Sequence, residues 1–197
     1  MTASTEIHTT LPEILGHDQD GNLITRESLK GRRIILYTYP KDNTSGCTAE
    51  ACSLRDHYEE LQTLGYDVIG VSKDSASSHQ RFISKHSLPF PLIADTETTL
   101  LQQLGAWGEK VACGRRTIGT LRTTFIIDED GTITRTFLPK EIKTKVHAEQ
   151  ILEEIKYPSP SPLLIPLIVP DTPCINPSAW YSFFLSRTKH KKSELSG

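Results

Sequence analysis

The run Ile34-Ile35-Leu36-Tyr37-Thr38-Tyr39-Pro40-Lys41-Asp42-Asn43-Thr44-Ser45-Gly46-Cys47-Thr48-Ala49-Glu50-Ala51-Cys52 decides how this chain folds. Its first six residues are an unbroken apolar and aromatic stretch, which reads as a buried strand. The stretch from Thr48 through Arg55, which leads out of it, favours helix. Cys47 therefore falls at a strand-to-helix junction, in or just before the first helical turn. Unpaired backbone N–H groups and the positive end of the helix dipole favour an anion there. The thiolate is the nucleophilic form of cysteine, so the position favours reactivity. By residue type alone a cysteine is more often a buried structural residue. The junction and its Thr/Gly surroundings tip the reading toward a reactive one.

Working outward, Asp18-Gln19-Asp20-Gly21-Asn22 is a turn between two short strands. The helix entered at Cys47 is expected to run to about Leu64, with Gly65 as its stop. Asp67–Ser72 is a second β-branched strand, and Ser75 or Ser77 caps a helix running to about His86. Leu92-Ile93-Ala94 forms a third strand, and Thr96–Leu104 a helix closed by Gly105. Thr123–Ile127 and Thr132–Phe137 are strands joined by Asp128-Glu129-Asp130-Gly131, a strong hairpin signal. A final helix spans about Val146–Ile155. This βαβαβα order, then hairpin, then helix, predicts an α/β fold with parallel crossovers closed by an antiparallel pair. Ligands in such sheets bind at the C-terminal ends of central strands, where the Cys47 loop lies.

Composition narrows the function. The chain has 197 residues and a formal net charge of −2, which argues against a nucleic-acid partner. It has no apolar run of about 20 residues, so no membrane span is expected. The N-terminus lacks the basic-then-apolar pattern of a secretory signal, and a cytoplasmic location is expected. Four cysteines in a chain this long do not look like a disulfide framework. Cys47, Cys52 and His57 match no familiar zinc spacing, and no metal or other cofactor is expected. Residues 1–10 read as a flexible lead-in and 11–156 as the folded domain. Seven of the twelve prolines fall between Pro158 and Pro177, so residues 157–197 read as an extended or disordered extension. Its apolar Leu167, Ile168, Trp180 and Phe183 leave open that it lies against an apolar patch.

The stretch from Tyr39 to Cys52 resembles the active-site loop of peroxiredoxins. It is most similar to the bacterioferritin comigratory protein, or PrxQ, subgroup, whose loop resembles Pro-Lys-Asp-x-Thr-Pro-Gly-Cys-Thr-x-Glu-x-Cys. Arg122-Thr123-Thr124-Phe125-Ile126-Ile127-Asp128 and the element order from Leu11 to Ile155 extend the resemblance. Ser45 stands where the family usually has proline, and the tail after Tyr157 lies outside the resemblance. The resemblance implies a thioredoxin-like fold, with a central mixed sheet flanked by helices. It also implies a thiol-specific peroxidase for hydrogen peroxide and organic hydroperoxides, regenerated by thioredoxin or a similar dithiol protein, and a monomer or weak homodimer.

By that resemblance Cys47 is the nucleophile that becomes a sulfenic acid, and Cys52 resolves it as an intramolecular disulfide. Thr44 hydrogen-bonds the peroxide, Pro40 shields the sulfur, and Arg122 favours the thiolate and polarises the peroxide. The backbone amides of Gly46 and Cys47 bind the substrate. On residues alone, Arg122 also reads as a solvated strand-end charge, and Cys52 as a half-buried helix residue. Arg115 and Arg116 look solvated in a Gly-rich loop, and Cys113 and Cys174 look incidental. His79 and His86 read as part of a solvated helix, and His147 as near a helix start. Five residues apart on an intact helix, the Cα atoms of Cys47 and Cys52 are roughly 8–9 Å apart, beyond the about 7 Å reach of a disulfide. Pairing them requires the first turns of the helix to unwind. A thiol–disulfide oxidoreductase on the same fold is a rival, but Cys-x-x-Cys is absent. A non-enzymatic redox sensor is another.

Overall fold

The computed structural model describes residues 10–112 and 115–158. The expectations for residues 1–9, Cys113, Cys174 and the proline-rich segment from Ser159 lie outside the described residues.

A short antiparallel pair, β1 (Ile14–His17) and β2 (Leu23–Thr25), opens the fold. After a 3₁₀ turn at Glu27–Leu29 come β3 (Arg33–Thr38), α1 (Ser45–Asp56), α2 (Tyr58–Thr63) and β4 (Tyr66–Ser72). Next are α3 (Ala76–His86), β5 (Leu92–Ala94), α4 (Thr99–Gln103), β6 (Trp107–Ala112) and β7 (Arg115–Thr120). The chain then forms β8 (Thr123–Ile127), β9 (Ile133–Phe137) and α5 (His147–Lys156). The main sheet has the order β5-β4-β3-β8-β9. Strand β3 pairs parallel with β4 and antiparallel with β8, so the sheet is mixed.

Strand β3 lies at the centre and is buried on both faces, which is why it reads as a continuous apolar run. Alternation along it divides the interior. Ile35, Tyr37 and Tyr39 enter one core with Cys47, Ala51, Leu54, Phe82 and Ile151. Ile34 and Leu36 enter the other with Ile69, Val71, Ile93, Leu101 and Phe125. The sequence thus places Cys47 beside the core face that carries Tyr37 and Tyr39.

Helix boundaries follow their caps. The Ser75 hydroxyl accepts from Ser78 N–H at the start of α3. Gly65, at φ +83, ends α2, a backbone angle that costs glycine little. The expected single helix from Cys47 to Leu64 is instead two. The His57 ring nitrogen lies 3.0 Å from the Ser53 carbonyl, where the next helical N–H would bond, and the His57 N–H turns to Arg55 O. A side chain inserted into the ladder in this way breaks a helix. The expected helix at Thr96–Leu104 shortens to α4, because Thr98 takes left-handed backbone at φ 59.

The β6–β7 hairpin replaces a stretch that reads as a loop. Its register runs from Trp107↔Thr120 to Ala112↔Arg115. Exposed Ile118 and the Arg116–Glu109 ion pair show how little it buries, so it lacks the alternation that reveals a half-buried strand.

Candidate active site

Backbone geometry around Cys47 begins with Thr44, which N-caps α1 in extended conformation. Its carbonyl receives the Thr48 N–H at 2.8 Å. The amides of Ser45, Gly46 and Cys47 thus precede the first helical hydrogen bond. No acidic residue lies in that first turn to offset the dipole. The Thr44 hydroxyl donates to the Lys41 carbonyl at 3.0 Å, which ties the cap to the preceding loop. Pro40 is half-buried where that loop leaves β3.

The Cys47 side chain is 1% exposed. The Arg122 Nη2 donates to its Sγ at 3.2 Å. A Cβ on Gly46 would stand 3.5 Å from the same nitrogen, an ordinary contact, so the guanidinium lies directly over the start of α1. Arg122 lies between β7 and β8, and the end of β3 fixes its backbone. The Thr38 hydroxyl donates to Leu121 O at 2.7 Å and accepts from Thr123 N at 3.1 Å. Arg122 is therefore packed against Cys47 and Glu50 and is not a solvated strand end. Arg116 is exposed and pairs with Glu109, as a solvated residue would.

Glu50, one turn beyond Cys47, is fully buried, and its Oε2 accepts from Arg122 Nη1. Arg122 thus bridges a sulfur and a carboxylate. Burial pushes the Glu50 carboxyl up to about 7, against the pull of Arg122. Among the described residues its Oε1 has no hydrogen-bond partner. Sequence reasoning assigned Glu50 no role, although the spacing Cys-Thr-x-Glu puts it on the cysteine's side of the helix. Burial holds down the Arg122 pKa, but the interactions with Glu50 and Cys47 outweigh that and raise it.

Cys52 is half-buried on the same helix, and both thiols are free. Arg55, one turn on, donates to the His86 carbonyl at 2.7 Å and so links α1 to the end of α3. His79, read from the sequence as solvated, is instead fully buried against Asp42. Its companion His86 is half-buried against Phe82. His147, at the start of α5 as expected, is buried. Its Nε2 lies 2.8 Å from the Thr124 hydroxyl, and burial lowers its pKa to about 4.

A mixed sheet bearing a buried thiol at a helix N-terminus, beneath an arginine, defines a thiol-dependent redox enzyme. The model of the AhpC/TSA family matches residues 7–136. The chain is 40% identical over 139 residues to the peroxiredoxin Bcp of Escherichia coli K12, covering 71% of this chain and 88% of that protein. It is 42% identical over 133 residues to a putative peroxiredoxin bcp of Coxiella burnetii, covering 68% of this chain and 87% of that one. Among solved structures, Xanthomonas campestris peroxiredoxin Q aligns with a TM-score of 0.68 and 28% identity, covering 77% of this chain and 98% of its own.

The chain belongs to the AhpC/TSA family. It has the thioredoxin-like fold of the peroxiredoxins and is a thiol peroxidase that works through cysteine chemistry. No helix among the described residues is long and apolar enough to cross a membrane.

Proposed function

We propose that Cys47 is the peroxidatic nucleophile for hydrogen peroxide and organic hydroperoxides, and that Cys52 resolves it. Reduction of alkyl peroxides is named for the bacterioferritin comigratory protein of Xanthomonas campestris. One observation carries the assignment: the Arg122 guanidinium 3.2 Å from a buried sulfur at a helix start. The Cys47 thiolate attacks one peroxide oxygen, the S–O bond forms and the O–O bond breaks. Sulfur is oxidised to the sulfenic acid, and the departing oxygen takes a proton to leave as water or an alcohol. Arg122 and the amides of Gly46 and Cys47 stabilise the charge on the two oxygens. Thr44 holds the peroxide, and Pro40 keeps water from the sulfur.

Cys52 then attacks the sulfenic sulfur, the S–S bond forms and water leaves. A dithiol protein of the thioredoxin type reduces the disulfide. Because both cysteines lie within α1, resolution requires its first turns to open. The test is a peroxidase assay with thioredoxin, run on wild type, Cys47→Ser and Cys52→Ser, with disulfide mapping by mass spectrometry. Activity is expected to vanish in Cys47→Ser, and sulfenic acid to accumulate in Cys52→Ser. An active Cys47→Ser enzyme, or oxidised wild type with Cys47 joined to Cys113 or Cys174, defeats the assignment.

A further inference from the structure

Asp42 and His79 belong to none of the reacting groups, yet both are buried: His79 completely, and Asp42 with 6% of its surface exposed. Each His79 ring nitrogen faces acceptors. Nε2 lies 3.2 Å from the Ile93 carbonyl, which can only accept. Nδ1 lies 3.0 Å from Asp42 Oδ2 and 3.2 Å from Oδ1. The hydroxyls of Tyr39 and Ser78 donate to the same carboxylate at 2.8 and 2.7 Å. The Tyr39 hydroxyl also lies 3.4 Å from Nδ1, so hydrogen bonds hold both members of the pair on every side. Burial opposes the Asp42 charge, but the hydrogen bonds from His79 and Ser78 outweigh it and lower the Asp42 pKa.

The position of this pair gives it a role. Asp42 lies between Pro40 and Thr44, and its N–H donates to Asp74 at 2.6 Å. The pair joins the loop below Cys47 to the first turn of α3 and to β5. On the other side, Asn43 has φ 58, a left-handed backbone that asparagine adopts more readily than most residues. The buried anchor of the loop is Asp42, and this exposed left-handed residue comes next.

We propose that the His79–Asp42 pair is the anchor of the Cys47 loop, positioning the thiol for peroxide and making Asn43 the hinge about which α1 opens. His79 and Asp42 are thus positioning residues, and the inference rests on Cys47 being the peroxidatic thiol. Peroxide reduction needs sulfur and cradle in line, whereas alkylation by iodoacetamide needs only a reachable thiolate.

The test measures both reactions of Cys47 in the reduced full chain, for wild type, His79→Gln, Asp42→Asn and the double variant. Each single variant is expected to lose about 100-fold in the single-turnover rate with hydrogen peroxide, the scale of a small misplacement of reacting groups. Alkylation is expected to change far less. The double variant, whose two amides can hydrogen-bond without charge, is expected to recover most of the peroxide rate.

Single variants that keep the wild-type ratio of the two rates overturn the proposal. So does a folded double variant no faster with peroxide than the singles. Hydrogen exchange on the wild-type disulfide form tests the hinge without mutation. The amides of Tyr39 and Asp42 should stay protected while residues 44–53 exchange, and equal loss in both segments overturns it. Wild type whose Cys47 does not react with peroxide refutes the functional assignment instead.

Discussion

Replacing Glu50 by glutamine removes a carboxyl that folding carries from its usual 4.5 up to about 7. Such a displacement corresponds to about 3 kcal/mol between the protonation states, at about 1.4 kcal/mol per pH unit. Because the folded pKa lies above the unfolded one, Glu50 contributes stability that is fully present below pH 4.5 and lost as pH rises to about 7. His147 does the opposite. Its folded pKa falls from 6.5 to about 4, so it contributes stability above pH 6.5 that is lost as pH falls toward 4. Between about pH 4.5 and 6.5 the two slopes oppose each other and nearly cancel.

Denaturant unfolding of the reduced protein across that window should therefore show little pH dependence from these two groups. In Glu50→Gln the His147 slope stands alone, and stability should rise with pH by about 1 kcal/mol per unit up to pH 6.5. A Glu50→Gln protein whose pH profile superimposes on that of wild type would refute the reasoning, because the buried carboxyl would then not titrate where its surroundings place it.

Two further substitutions probe neighbouring features. Arg122→Met should lower the peroxide rate by about 100- to 1,000-fold, as removal of one charge-stabilising donor does. It also leaves Glu50 without its cation, so its stability loss should be smaller at pH 6, where the carboxyl is already neutral, than at pH 8, where it must be protonated or buried unpaired; equal losses would contradict this. Gly70→Ala places a Cβ 2.5 Å from Leu92 and 2.9 Å from the Tyr37 ring. It should cost about 1–3 kcal/mol by overpacking, and a thermal midpoint equal to wild type would show that the sheet yields.

Local signals and fold geometry divided what the sequence could disclose. The central strand, the Gly65 stop, the Ser75 cap and the Asp128–Gly131 hairpin were legible because each rests on a few adjacent residues. That Arg122 meets Cys47 across 75 residues was legible only through the family resemblance. Asp42 and His79 were not, because the pair forms across 37 residues, and a histidine on a polar helix reads as solvated until its partner is seen. Glu50 was hidden differently: an acid is ordinarily an exposed helix former, and only Arg122, 72 residues away, makes its burial tolerable. The β6–β7 hairpin escaped because its strands bury so little that neither periodicity nor turn chemistry marks them.

The Ser53 side chain, buried on α1, accepts the Ala148 N–H at 3.1 Å at the start of α5. It thus supplies an N-terminal hydrogen bond from another helix, of the kind a cap residue gives its own. Opening α1 as far as Ser53 leaves that amide unpaired. Each oxidative turn would then be felt at two helices, one holding the thiols and one with none. An event confined to a single sulfur atom would thereby become a change in the surface that α5 presents, which a protein with no access to the buried thiol can distinguish.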